Sequence, residues 1–260
     1  MKPNKAHPLH TGVLSLALAF LATGISGCRR DEFVELDRFI PGIVLDIRYA
    51  TTNNFTGQRL YPSARSFLRK PVAEKLRAAQ AEFAALGYGL KIFDGFRPLS
   101  VQKKMWEVFP HPGYVADPRK GSRHNRGAAV DVTLVRLADG ADLLMPTGYD
   151  DFTEKAHRSF NNLPEEMIRN RELLERVMLK HGFIGLPTEW WHFDDKDWER
   201  YPILDLNPGN SETTETARQG ASISQSHHPH TNDLVTSTLH ASACPCAGCL
   251  TLRTSPVFCK

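Results

Sequence analysis

The stretch "GSRHNRGAAVDVTL", residues 121–134, places His124 and Asp131 on either side of Gly127, at the entrance to a strand-like apolar run that continues as "AAVDVTLVRL". Neither polar residue suits an apolar core unless something holds it there, and a metal ion would do so. A straight seven-residue separation will not serve one ion. In a strand the two residues would face opposite sides, roughly 23 Å apart; in a helix they would share a face, roughly 10 Å apart. The chain must therefore turn between them. Gly127 is the residue best able to allow the turn, with His124 on it and Asp131 inside the following strand.

The missing ligand should be another imidazole or carboxylate. His192 in "EWWHF" is the best candidate, because Glu189 lies three residues before it. A hydrolytic zinc site needs three protein ligands, an open position for water and a nearby carboxylate to take the water's proton. His124, Asp131 and His192 with a free Glu189 meet that list. A regular strand would point Glu189 and His192 to opposite faces, so a bulge or turn is required between them. Taken singly, His124 reads as a surface residue, Asp131 as a turn cap, and Trp190 and Trp191 as core aromatics; the combination points to zinc. His111, His157 and His181 compete less well. His181 suits a helix C-terminus, where a cation is welcome, and the others have no base-like neighbour.

Around this stretch the chain alternates patterned segments with turn signals and shows no internal repeat. "VLDIRYATTNNFTG" reads as a strand and an Asn/Gly turn. Residues 71–87 read as a helix that starts at Pro71, stops at Gly87 and buries Val72, Leu76, Ala79, Phe83 and Leu86. "LKIFDGF" is a short strand and "LSVQKKMWEVF" a helix. Residues 164–182 form a second clear helix, acidic in its first turn and basic in its last. "TEWWHF" reads as extended. This mixed order predicts an α+β fold, with helices packed on an antiparallel sheet.

The pattern Ser-x-His-x-x-Gly-x-Ala-x-Asp in "SRHNRGAAVD", followed by "EWWH" and preceded by "DGFRP", resembles that of the D-alanyl-D-alanine dipeptidases, the VanX-like zinc peptidases. The similarity runs from about Phe33 to Asn207 and includes "DIRYATTNNFTG". It implies a Hedgehog/DD-peptidase-like α+β fold, one Zn2+ per chain and hydrolysis of the free D-Ala-D-Ala dipeptide. Carried over by position, the zinc ligands fall on His124, Asp131 and His192, the general base on Glu189 and the active-site arginine on Arg97. Arg97 would stabilise the oxyanion or bind the terminal carboxylate. Tyr49, Ser122 and Asp150 match residues lining the substrate pocket, with Asp151 adjacent to the last as an alternative. The rival readings are a D,D-carboxypeptidase or peptidoglycan endopeptidase with a more open groove, and a non-catalytic zinc-containing binding domain. Glu189 argues against the latter, since a structural site has no use for an unligated base.

The ends differ from the middle. With a net charge of +3 over 260 residues, nothing argues for nucleic acid as a partner. Residues 1–27 carry two lysines before a short apolar run, Val13 to Ala22, as in a signal peptide. They finish in Ile25-Ser26-Gly27-Cys28, which resembles the bacterial lipobox and marks Cys28 for lipidation. Arg29 follows where an inner-membrane retention aspartate would stand, so the expected location is the periplasmic face of the outer membrane. Residues 28–32 then form a short linker, 33–208 the catalytic domain and 209–260 a low-complexity tail. The other cysteines, Cys244, Cys246, Cys249 and Cys259, all lie in that tail, so the folded body needs no disulfide.

Overall fold

The computed structural model describes residues 32–209. The leader with Cys28, and residues 210–260 with the four later cysteines, lie outside the described residues.

Strand β1 (Phe33–Glu35) leads into a one-turn helix α1 (Leu36–Phe39), then β2 (Val44–Leu45) and β3 (Phe67–Arg69). Helix α2 (Lys70–Ala85) follows, then β4 (Tyr88–Asp94), helix α3 (Leu99–Val108) and β5 (Ala129–Arg136). Helix α4 (Glu165–Lys180), β6 (Phe183–Gly185) and β7 (His192–Asp195) complete the set. β1 and β3 form a small antiparallel pair, and the main sheet has the order β2-β4-β5-β7-β6.

Both long helices form where the apolar spacing predicts. Pro71 occupies the first turn of α2, where its missing N–H costs nothing. Val72, Ala73, Leu76, Ala79 and Phe83 are buried along one face. Leu86, expected in that set, caps the helix and is 50% exposed, because the helical spacing ends one residue before it. α4 carries Glu165 and Glu166 at its positive end and Lys180 at its negative end, and buries Leu174, Val177 and Met178. The helices pack against each other and against β4 and β6, over a core that includes Leu90, Ile92, Val130, Val132, Leu134 and Phe193. Truncating one of these residues to Ala would cost about 2–5 kcal/mol.

The sheet is not wholly antiparallel. β2 runs parallel to β4, while every other neighbouring pair is antiparallel. A parallel pair needs a crossover, and α2 lies in the connection that supplies it. The strand expected from "VLDIRYATTNNFTG" is also short: it ends at Leu45, and Arg48–Ala50 is a 3-10 turn that carries Tyr49 inward.

Register is what this sheet contributes to function. Asp94 on β4 pairs with Asp131 on β5, and Asp131 pairs with His192 on β7. Directly opposed residues on antiparallel strands project to the same face. Three polar side chains thus form a row across adjoining strands. Among the described residues, no helix is long and apolar enough to cross a membrane.

Candidate active site

The turn predicted around Gly127 is present. His124–Arg126 form a 3-10 turn capped by Gly127 with φ +67, and a Cβ there would lie 2.6 Å from the Phe33 ring. The turn brings His124 back over the row of side chains. The His124 Nε2 atom then lies 3.2 Å from His192 Nδ1 and 3.3 Å from Asp131 Oδ1, and the last two are 3.0 Å apart. Zinc bonds of 2.0–2.1 Å in tetrahedral arrangement put neighbouring ligand atoms about 3.3 Å apart, so this triangle has the size zinc requires.

Hydrogen bonding says the same. His124 Nδ1 faces the Gly95 carbonyl at 2.7 Å, an oxygen that can only accept, so Nδ1 carries the proton and Nε2 a lone pair. His192 Nε2 donates to Asp194 Oδ1 at 2.9 Å, which turns the Nδ1 lone pair of the neutral ring inward. Asp131 Oδ2 accepts from the Tyr149 hydroxyl at 2.8 Å, leaving Oδ1 to the triangle. Three acceptors converge in a buried niche, each fixed from behind, in the manner of metal ligands with their outer partners. The electrostatics also favour a cation. With no cation bound, burial opposes charging His192, but Asp194 and Asp131 outweigh it and push its pKa up to about 10, so a proton occupies Nδ1 until a metal ion displaces it. Gly95 is needed at its place, since a Cβ there would lie 2.5 Å from Ser66 Oγ and 2.9 Å from the Phe67 carbonyl.

Glu189 is on the same side of the niche, with Oε2 4.0 Å from His192 Nδ1. The required local irregularity is present: residues 187–188 are a turn and 190–191 a bend, with Glu189 between them, and the strand begins only at His192. "TEWWHF" is therefore extended only from His192 on. Arg158 clamps this turn, donating from Nε to the Leu186 carbonyl at 2.9 Å and from Nη2 to the His192 carbonyl at 2.8 Å. No described residue donates a hydrogen bond to the Glu189 carboxylate. Burial, together with Asp131 and Asp150, pushes its pKa up to about 8 against the opposing pull of His192. A divalent cation at the triangle would lower that value toward the range of a working base.

Arg97 is buried and committed. Its Nε and Nη2 donate to Asp94 Oδ2 at 3.0 and 2.8 Å, and its Nη1 donates to Gln102 at 2.9 Å. Asp94 is braced in turn by the Tyr61 hydroxyl at 2.7 Å. The Tyr49 hydroxyl donates to both oxygens of Asp150, at 3.1 and 3.2 Å. Asp150 is the one non-glycine among the described residues with a positive φ, +62, a conformation costing about 1–3 kcal/mol that turns its carboxylate toward Tyr49. Burial pushes the Asp150 pKa up to about 7.

The triangle, Glu189, Arg97, Tyr49 and Asp150 line one cavity of ≈ 120 Å³, together with Ser122, Phe55, Tyr114, Phe152 and Trp191. Asp151 is outside it, engaged with the Thr153 N–H at 2.9 Å, so of the two aspartates Asp150 faces the cavity. Beside Asp150, the Phe152 ring packs 5.3 Å from Phe55 and 5.0 Å from Tyr114, forming an aromatic wall. Trp190 is core, its indole N–H on Thr147 at 2.9 Å. His181 bonds to Glu82 and is no member of the triangle.

Sequence reading missed Asp94, Gln102, Tyr149, Arg158 and Asp194. Asp194 had a signal, since it is two residues past His192 in a strand and so on the same face. Arg158 had none.

The sequence profile of the family described as D-ala-D-ala dipeptidase matches residues 29–207. The D-alanyl-D-alanine dipeptidase of Escherichia coli (strain K12) is 36% identical over 173 residues, 66% of this chain and 89% of that protein. Its counterpart from Enterococcus faecalis (strain ATCC 700802 / V583) is 34% identical over 198 residues, 67% of this chain and 96% of that protein. Among solved structures, the LdcB LD-carboxypeptidase aligns with 60% of this chain and 69% of its own, at 18% identity and a TM-score of 0.35. That structural likeness is too slight to bear on fold or chemistry.

Proposed function

The chain belongs to the D-ala-D-ala dipeptidase family, and from that premise we propose that its cavity hydrolyses the free D-alanyl-D-alanine dipeptide to two D-alanines. It is a zinc metallopeptidase whose single ion would be held by His124, Asp131 and His192. When bound there, zinc supplies Lewis acidity, polarising the scissile carbonyl and making water acidic enough to attack at neutral pH.

The chain's own residues do the rest. Glu189 takes a proton from the attacking water as the C–O bond forms and gives it to the leaving nitrogen as the C–N bond breaks. Arg97, held rigid by Asp94 and Gln102, stabilises the negative charge that develops on the carbonyl oxygen. Asp150 and Tyr49 hold the substrate's ammonium, and Ser122 lines the same pocket.

The observation that carries the dipeptidase reading over a carboxypeptidase is the Tyr49–Asp150 pair set against the Phe55–Phe152–Tyr114 wall. A free ammonium gains a charge-assisted hydrogen bond there. An acylated amine loses its charge and meets the wall. Leaving the buried Asp150 carboxylate without a cationic partner would cost about 2–5 kcal/mol, a selectivity of about 30-fold to several thousand-fold. Purified protein given D-Ala-D-Ala and N-acetyl-D-Ala-D-Ala is expected to release D-alanine rapidly from the first and barely from the second. Equal kcat/KM for the two would contradict the dipeptidase reading and favour a carboxypeptidase.

For location, the apolar run Val13 to Ala22 and the Ile25-Ser26-Gly27-Cys28 sequence support export and a lipid anchor on Cys28 at the periplasmic face of the outer membrane. This divides the chain into a leader of residues 1–27, a linker of 28–32, the dipeptidase domain at 33–208 and a low-complexity tail from 209. Cys28→Ser is expected to release the exported protein from membranes. A wild-type protein found only in the soluble fraction would rule the anchor out.

A further inference from the structure

A dipeptide brings a carboxylate as well as an ammonium, and the two arginines lining the cavity differ in their freedom to meet it. Arg97 has three of its five N–H donors engaged by Asp94 and Gln102, which leaves one on each terminal nitrogen for a single oxygen such as the carbonyl's. Arg123, between Ser122 and the ligand His124, has spent none. Its side chain is 43% exposed, no described residue accepts a hydrogen bond from it, and its Nε is buried without a hydrogen-bond partner. Asp194 Oδ2 forms an ion pair with that Nε at 3.7 Å, too long for a hydrogen bond, and Asp194 is engaged through Oδ1 with His192.

Arg123 is nonetheless held in place. Its guanidinium lies 4.6 Å from the centre of the Trp198 ring. Such a stack fixes the guanidinium while leaving the N–H donors unspent. A planar fork of unspent donors at a cavity wall suits a carboxylate. The neighbouring Ser122 Oγ accepts from the His124 N–H at 3.2 Å, which leaves its hydroxyl proton available on the same wall.

We propose that Arg123 binds the C-terminal carboxylate of the substrate and is a specificity-determining residue of this cavity. The proposal rests on the dipeptidase reading and deepens it: Asp150 takes one charged end of the zwitterion and Arg123 the other. Arg97 is thereby left to the carbonyl oxygen.

Calorimetry on zinc-loaded Glu189→Gln protein, which binds substrate without turning it over, tests this with D-Ala-D-Ala and its C-terminal amide. With Arg123 present, amidation is expected to weaken binding by about 10- to 100-fold, the worth of a hydrogen bond to a charged group. Adding Arg123→Ala should shrink that penalty to less than about threefold. Trp198 keeps Arg126 at 5.2 Å, so the fold should survive; Arg123→Gln, checked by zinc content, serves if Arg123→Ala does not. An amide penalty that persists without Arg123, or none with it, would overturn the proposal. Failure of the dipeptidase reading would show separately, as a wild-type protein that discriminates acid from amide yet releases no D-alanine.

Discussion

Glu189→Gln is expected to keep its full zinc content while kcat for D-Ala-D-Ala falls by about 10²–10⁴-fold. The glutamine keeps the shape of the side chain but has no lone pair basic enough to take the water's proton. Nothing else lining the cavity is placed to substitute. Asp131 is engaged with the triangle and Tyr149, and Asp150 with Tyr49. Zinc should stay because Glu189 is no part of the ligand triangle and stands 4.0 Å from His192 Nδ1. The loss should fall on kcat, with KM little changed, because proton transfer is demanded only in the transition state. A variant that loses its zinc would show that ligand and base have been exchanged.

The second large effect concerns the ligands. His124→Ala, Asp131→Ala and His192→Ala should each lower zinc content and abolish turnover. Each leaves two converging acceptors where three would hold the ion. The cost should extend to stability, because a ligand that binds only the folded state adds about 4.1 kcal/mol when present at a thousand times its Kd. Thermal unfolding with and without added zinc checks this. The wild type should gain a higher Tm on zinc addition, and the three variants should gain little. Retention of full zinc by Asp131→Ala would remove that residue from the site.

Which residues come together was more legible in the sequence than how they do so. His124, Asp131, His192 and Glu189 were readable because each is costly to bury without a partner, so their presence beside apolar runs calls for a reason. Gly127 was readable because a turn had to exist there. The turn before His192 was readable as a need, though not as a shape.

What stayed hidden depends on pairings between distant parts of the chain. The row Asp94–Asp131–His192 is set by the register of three strands, and nothing local to any one of them states it. The same holds for β2 lying parallel to β4, and for Arg158 reaching across to clamp the Glu189 turn. The inward turn of Asp150 hangs on a left-handed backbone that a non-glycine residue rarely adopts, so sequence could not separate it from Asp151.

The most direct test of the account is to strip the wild-type protein of metal and follow D-Ala-D-Ala hydrolysis while zinc is returned stepwise. Turnover should be absent at the start, rise in proportion to bound zinc and level off at one ion per chain. Full hydrolysis by the metal-free protein, or a plateau reached only at two ions per chain, would contradict a single zinc held by His124, Asp131 and His192.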